Sequence, residues 1–165
     1  MSCRQDYIEL RNTINDYHSG TFAYGKEEYV CLLVGESKNT PWECSAFSRL
    51  NLKGIFANVP NIQIGTQGLF GDRWSHKIAI LAHEFGHYLS WKNRENPADG
   101  LHKKLYASKR ITKREAKLIV EEERRAWKYG FKFLDDNGIE IEPEMRKFRN
   151  RCVARYGRRT KTLSR

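Results

Sequence analysis

The residues with the clearest chemical potential are His83, Glu84 and His87, which lie within residues 74–91, WSHKIAILAHEFGHYLSW. In an α-helix, residues four positions apart are separated by about 40° around the axis and about 6 Å along it. Both imidazoles can therefore reach one metal ion, and two histidines make half of a zinc site. Glu84 projects from an adjacent part of the helix, where it could take a proton from water at an open coordination position.

The helix that must carry these residues is strongly apolar before the first histidine. Residues 78–82 read IAILA, which is typical of a helix buried in a domain core. Imidazoles in such an environment are costly unless each has a partner. Core histidines satisfied by hydrogen bonds are the alternative to a metal site.

A zinc site that keeps one position for water needs a third protein ligand. The extended HExxHxxGxxH pattern is absent, which leaves His102 or one of three consecutive glutamates, Glu121, Glu122 and Glu123. Helical spacing puts Glu123 on the apolar stripe of its helix, whereas Glu121 lies among lysines and arginines and Glu122 is intermediate. Spacing therefore favours Glu123 as the ligand, and Glu122 and His102 stay open as alternatives.

The segment HEFGHYLSW, a basic loop and a later helix with EERRAWKYG together resemble the zincin-like peptidases of the ImmA/IrrE group. The resemblance covers roughly residues 74–134, and the best local match to the group's E-x-x-A segment begins at Glu123. It implies a zinc-dependent metallopeptidase with His83, His87 and Glu123 as ligands and Glu84 as general base. It does not imply cleavage of a repressor, because no helix-turn-helix pattern is present.

A rival resemblance is to SprT/Spartan-like proteases, which act on proteins crosslinked to DNA. This resemblance implies that His102 supplies the third ligand, and the basic charge of the chain favours this interpretation. The stretch His102-Lys103-Lys104-Leu105-Tyr106 lacks the glycine that usually follows this histidine. A third hypothesis is that the chain is not an enzyme but a basic binding protein that keeps a zincin scaffold.

The elements that must position these residues predict an α+β fold, and the resemblance implies a single zincin-like domain over residues 1–157. A small mixed sheet is expected to pack on the metal helix, followed by further C-terminal helices. Residues 54–66 are the candidate strand edge for an extended substrate, because Pro60 is poorly tolerated in a central strand.

The remaining predictions before the metal helix are a helix over 4–18, a strand over 29–34, a loop over 36–53 and an N-cap at Asp72. After it, the sequence predicts a short basic helix within 101–111, a helix over 112–134 opened by a capping box, a helix over 143–157, and a disordered basic tail over 158–165.

The net charge of +10 is concentrated in two segments. Residues 92–114 carry 8 basic and 2 acidic side chains, and residues 143–165 carry 9 and 1. Such segments can bind nucleic acid or an acidic protein, and a solvated basic surface is the simpler explanation. The chain shows no apolar run long enough to span a membrane and no signal-peptide pattern, so we expect a cytoplasmic protein without a membrane partner.

Overall fold

The computed structural model describes residues 4–17, 33–41, 46–51, 57–67 and 73–164. Most of these residues are helical, and none of the described helices is long and apolar enough to cross a membrane. The elements are α1 Arg4–Tyr17, β1 Leu33–Pro41, β2 Ala46–Asn51, β3 Ala57–Gln67, α2 Trp74–Lys92, α3 His102–Tyr106, α4 Lys113–Asp136 and α5 Pro143–Leu163.

The chain divides into two compact units, one up to Phe85 and one from Gly86 onward, and the boundary lies inside the continuous helix α2. The zincin-like character of the fold, its description as one domain, and the packing of the sheet on α2 stay predictions. Residues 29–32 and 54–56, which belong to predicted extended segments, and the predicted N-cap Asp72 lie outside the described residues.

The first unit contains a three-stranded mixed sheet with strand order β1-β3-β2. β1 runs parallel to β3, and β2 runs antiparallel to it. The prediction of a loop over 36–53 is therefore wrong, because β1 extends to Pro41 and β2 lies within the same segment. Both are edge strands of the sheet that the described residues form, and a polar sequence is tolerated in an edge strand because it needs a paired neighbour on one side only.

The expectation of a free edge over residues 54–66 is wrong for the middle of the central strand β3. Pro60 lies opposite Arg49 of β2, and the pairing of β3 with β1 begins only at Asn61, opposite Leu33. Proline cannot donate to a ladder, and Pro60 lies where β3 has β2 as its paired neighbour. From Asn61 to Gln63 the strand is paired on both sides, so it offers no edge to a substrate there. Ile64, Gly65 and Gln67 pair with β1, and among the described residues they have no partner in β2.

The core of the first unit includes α1 and the start of α2. Tyr7, Leu10 and Ile14 are buried at helical spacing on α1, as the predicted packing helix requires. The buried ammonium of Lys77 lies 4.3 Å from the centre of the Tyr7 ring and 5.3 Å from that of Trp74. A cation at this distance from two aromatic faces is stabilised by their quadrupoles.

In the second unit, the predicted capping box fixes the start of α4. Thr112 accepts a hydrogen bond from the backbone N–H of Glu115, whose carboxylate accepts one from the backbone N–H of Thr112. Lys104 of α3 also bonds Glu115, and these contacts hold the pKa of that carboxyl below its usual range. The start of α4 is therefore tied to the short helix before it.

The helix α5 corrects the prediction of a disordered tail after Gly157. The helix continues to Leu163, where the side chain packs against a core cluster that contains Ala98, Leu105, Ile111 and Ile119. Nothing lies within 4 Å of a Cβ added at Gly157, which is an internal residue of the helix rather than its C-cap. Burial of apolar surface near the end of the chain explains why a basic, low-hydropathy segment stays helical.

Beyond Gly157, two further contacts hold the end of α5. Thr160 is only 2% exposed, and Arg159 donates a hydrogen bond of 2.8 Å to the backbone carbonyl of Leu105. The last turns of α5 are therefore a packed part of the second unit.

Candidate metal centre

The predicted metal helix is present as α2, and it carries His83, Glu84 and His87 within two turns. His83 and Glu84 are each 7% exposed, and the side chain of His87 is 11% exposed. The i, i+4 spacing puts the two imidazoles on one side of a continuous helix. The three residues that the sequence singled out are thus largely shielded from bulk water.

Gly86 determines how close α4 can come to this helix. A Cβ built on Gly86 would meet the backbone of α4, at 2.7 Å from the carbonyl carbon of Ala126 and 3.0 Å from the nitrogen of Gly130. The small residues on both helices therefore allow backbone-to-backbone approach. Glu122 lies one turn before Ala126 and so falls on the same side of α4, where it faces His87.

Glu122 is completely buried and contacts His87 directly. One carboxylate oxygen lies 2.9 Å from His87 Nδ1, and the other accepts a 2.8 Å hydrogen bond from the hydroxyl of Ser90. An ionised carboxylate has no hydrogen to give, so Nδ1 of the imidazole is the donor. The bond therefore holds His87 with Nδ1 protonated and leaves Nε2 with its lone pair.

This burial corrects the expectation that Glu122 is intermediate in exposure. Periodicity predicts one apolar stripe, whereas α4 is buried both toward α2, through Ala126 and Gly130, and toward α5, through Trp127 and Phe131. Glu122 lies at the edge of the buried face of α4 that is nearest to α2. A serine at helical spacing from His87 is the sequence signal that could have revealed its partner.

Glu123 is 1% exposed, as the apolar stripe predicted, and its Oε1 lies 3.4 Å from His87 Nε2, which carries the lone pair. Two acceptor atoms that face each other at this distance repel unless a cation or a proton lies between them. Tetrahedral zinc with bonds of about 2.0–2.1 Å would hold two such ligand atoms about 3.3 Å apart. The separation of the His87 and Glu123 atoms therefore fits a shared metal ion.

His83 completes the group of ligand atoms. Among the described residues, one set of histidines, cysteines and carboxylates could hold a metal, and it consists of His83, His87 and Glu123, whose ligand atoms lie within 4.8 Å of one another. Even the widest pair need close by no more than about 1.5 Å to reach tetrahedral separation, which rotation of a side chain can supply. Two imidazole nitrogens and one carboxylate are the donor set of many catalytic zinc sites.

His102, the alternative third ligand, lies beside the site but contacts Glu123 instead. Its Nε2 is 2.9 Å from Glu123 Oε1, and its side chain is 20% exposed at the start of α3. Because the carboxylate is the acceptor, His102 donates and orients Glu123 from the side of the basic loop. Each of the two alternative ligands therefore contacts a member of the group: Glu122 contacts His87, and His102 contacts Glu123.

Glu121, the first glutamate of the triplet, faces outward as predicted. It accepts a 3.4 Å hydrogen bond from Arg125 one turn later, and Arg125 also reaches Glu95. Tyr129 donates to the same Glu95 carboxylate, and this bond and partial burial raise the pKa of the phenol. This outer network explains Glu121 without any role at the metal site.

Sequence patterns predict the group that the structure brings together, His83, His87 and Glu123, but they do not reveal the contacts made by Glu122 and Gly86. Those contacts depend on the approach of α4 to α2, which periodicity along one helix does not report. Comparison of the chain with protein-family models, with curated proteins and with solved structures finds no match.

Proposed function

We propose that the protein is a zinc-dependent metallopeptidase with a zincin-like fold that acts in the cytoplasm. The observation that supports this proposal is the convergence of His83 and His87 of α2 with Glu123 of α4, whose ligand atoms lie within 4.8 Å of one another. Glu84 lies on α2 beside the two histidines. When bound, zinc supplies a Lewis acid that polarises a carbonyl group and makes water acidic near neutral pH.

The chemistry that this chain itself provides centres on Glu84. Its carboxylate follows His83 and precedes His87 by three residues on α2, and it is almost completely shielded from solvent. In the proposed reaction Glu84 takes a proton from the attacking water and later gives it to the leaving amine. A site that only binds metal has no need for a carboxylate in that position.

The surrounding residues hold the ligands in a geometry suited to this task. Glu122 fixes the tautomer and the ring orientation of His87, and Ser90 in turn orients Glu122. His102 donates to the buried carboxylate of Glu123. These hydrogen bonds limit the rotation of two of the three proposed ligands before any metal arrives, which favours binding.

Measurement of zinc content together with hydrolysis of an unfolded protein tests this proposal. The wild-type protein should hold about one zinc per chain, and His83→Ala should lose most of it. Glu84→Gln should keep the zinc and lose proteolysis by about 100-fold or more, because the amide cannot accept the proton. Glu121→Gln, an equivalent change at an exposed position, is the matched control and should retain both properties.

Two results would contradict the proposal. Undiminished cleavage by Glu84→Gln would remove that residue from the mechanism. Stoichiometric zinc without cleavage of any unfolded protein by the wild-type chain would favour a binding protein in place of a peptidase.

A further inference from the structure

A groove of about 440 Å³ lies between α4 and α5, outside the metal centre. Four cationic side chains line it, two from each helix: Arg124, Lys128, Arg146 and Arg149. Arg124 and Lys128 are one turn apart, and Arg146 and Arg149 are three residues apart, so each pair lies along one side of its helix. The two rows of positive charge therefore border the same groove.

The floor of the groove is aromatic and almost completely covered. Trp127 is 2% exposed and Phe131 is 6% exposed, and their ring centres are 5.5 Å apart in an edge-to-face arrangement. The guanidinium of Arg149 lies 5.7 Å from the centre of the Phe131 ring, so its direction is fixed by packing. These rings form a rigid base, but they expose too little surface to stack on a ligand.

None of the four cations forms an ion pair with a carboxylate among the described residues. Arg149 donates instead to the neutral side chain of Asn150, at 2.8 and 3.1 Å. Like charges held together around a concave surface raise the local positive potential, and they repel one another until an anion binds. The groove is therefore built to receive negative charge.

We propose that this groove binds the phosphodiester backbone of single-stranded nucleic acid, independently of base sequence. The groove carries two rows of cations, one on each helix, which suits a partner with a negative charge on every repeat unit. Cations border the groove on both sides, so a single strand that lies in it meets positive charge from both helices. Because the aromatic floor is covered, base stacking does not contribute, and binding depends on phosphate contacts.

Fluorescence anisotropy with a labelled single strand of mixed sequence, about 20 nucleotides long, tests the proposal on the full-length protein. The double variant Arg124→Gln/Lys128→Gln should bind about tenfold more weakly at moderate salt. Its slope of log affinity against log salt should be shallower by about 1.4, or about 0.7 for each lost phosphate contact. The matched control Lys109→Gln/Lys113→Gln removes two exposed cations from the other basic segment and should change neither quantity.

Circular dichroism and thermal unfolding of both double variants establish that they are folded, since all four substituted side chains are exposed. Equal weakening by the two variants would assign binding to overall charge and overturn the groove as the site. Absence of wild-type binding at low salt, tighter binding of a duplex than of the single strand, or equal binding of a poly-glutamate chain would also overturn the proposal. Metal binding is not involved, so failure of this test leaves the proposed peptidase function untouched.

Discussion

Replacing Gly86 by alanine probes the close approach of α2 and α4 on which the metal centre depends. A Cβ there would overlap the carbonyl oxygen of Ala126 and lie 2.7 Å from its carbonyl carbon, against 3.4 Å for an ordinary contact, so the backbones must separate by at least about 0.7 Å. The obstacle is backbone, which cannot rotate away as a side chain could. We expect steric overlap to cost about 1–3 kcal/mol, which exceeds the gain of about 1 kcal/mol from alanine in a helix.

The same displacement should weaken zinc binding more than it weakens the fold. α4 carries Glu122 and Glu123, and metal–ligand distances tolerate only about 0.2 Å of change. A shift of about 0.7 Å in α4 would move Glu123 away from the position shared with His87. We therefore expect zinc affinity to fall at least about tenfold in Gly86→Ala.

The assay pairs chelator-competition titration of zinc with chemical unfolding, and Gly157→Ala is the matched control. Gly157 is also inside a helix, but a Cβ added there has nothing within 4 Å, so alanine should stabilise the protein by about 0.5–1 kcal/mol. The two substitutions should therefore change stability in opposite directions, and only Gly86→Ala should affect zinc. Unchanged stability and zinc affinity in Gly86→Ala would refute the contact between the two helices.

Contacts of the second unit lead to three further predictions. Glu122→Ala should reduce zinc affinity about 10- to 100-fold, because His87 loses the acceptor that fixes its tautomer, and Glu123→Ala should reduce it further because a ligand is lost. His102→Ala should reduce zinc affinity less than about tenfold, since His102 orients a carboxylate and does not coordinate the metal. Deletion of residues 158–165 should lower the free energy of unfolding by about 2 kcal/mol or more, because it exposes apolar surface that the end of α5 covers. Zinc titration checks the first two, and denaturant unfolding checks the third.

Each of these predictions has an outcome that contradicts it. Glu121→Ala is the control for Glu122→Ala, and equal zinc affinities in the two variants would show that the buried bond to His87 does no positioning. Loss of zinc in His102→Ala but not in Glu123→Ala would reverse the ligand assignment and favour the SprT/Spartan-like reading. An unchanged free energy of unfolding after the deletion would support the prediction that residues 158–165 are disordered.

The parts of the site that sequence can predict are those that depend on one helix at a time. The i, i+4 spacing of His83 and His87 and the apolar stripe around Glu123 are properties of isolated helices, and the structure keeps both. The burial of Glu122 escapes such prediction because it depends on a second helix that packs at an angle to the stripe. No pattern within α4 contains that information.

The errors elsewhere in the fold have related physical causes. Residues 36–53 resemble a loop because they are polar, but edge strands need only one neighbour to form their hydrogen bonds. Gly157 resembles a C-cap, but a glycine can lie inside a helix when packing further along the chain outweighs its cost of about 1 kcal/mol. That packing, through Thr160 and Leu163, involves residues far away in sequence.

The two proposed sites share one helix, and its geometry explains how they can act independently. Ala126 faces α2 and Trp127 faces the groove, so successive residues of α4, about 100° apart, serve different neighbours. Glu122 lies on the side toward α2, Glu123 lies between the directions of Ala126 and Trp127, and the cations Arg124 and Lys128 border the groove. α4 is held by its capping box and by apolar packing as well as by the proposed metal, so removal of zinc should leave the groove in place. Binding of single-stranded nucleic acid should therefore be equal with and without zinc, and a large difference would show that the metal is needed to hold α4 against α5.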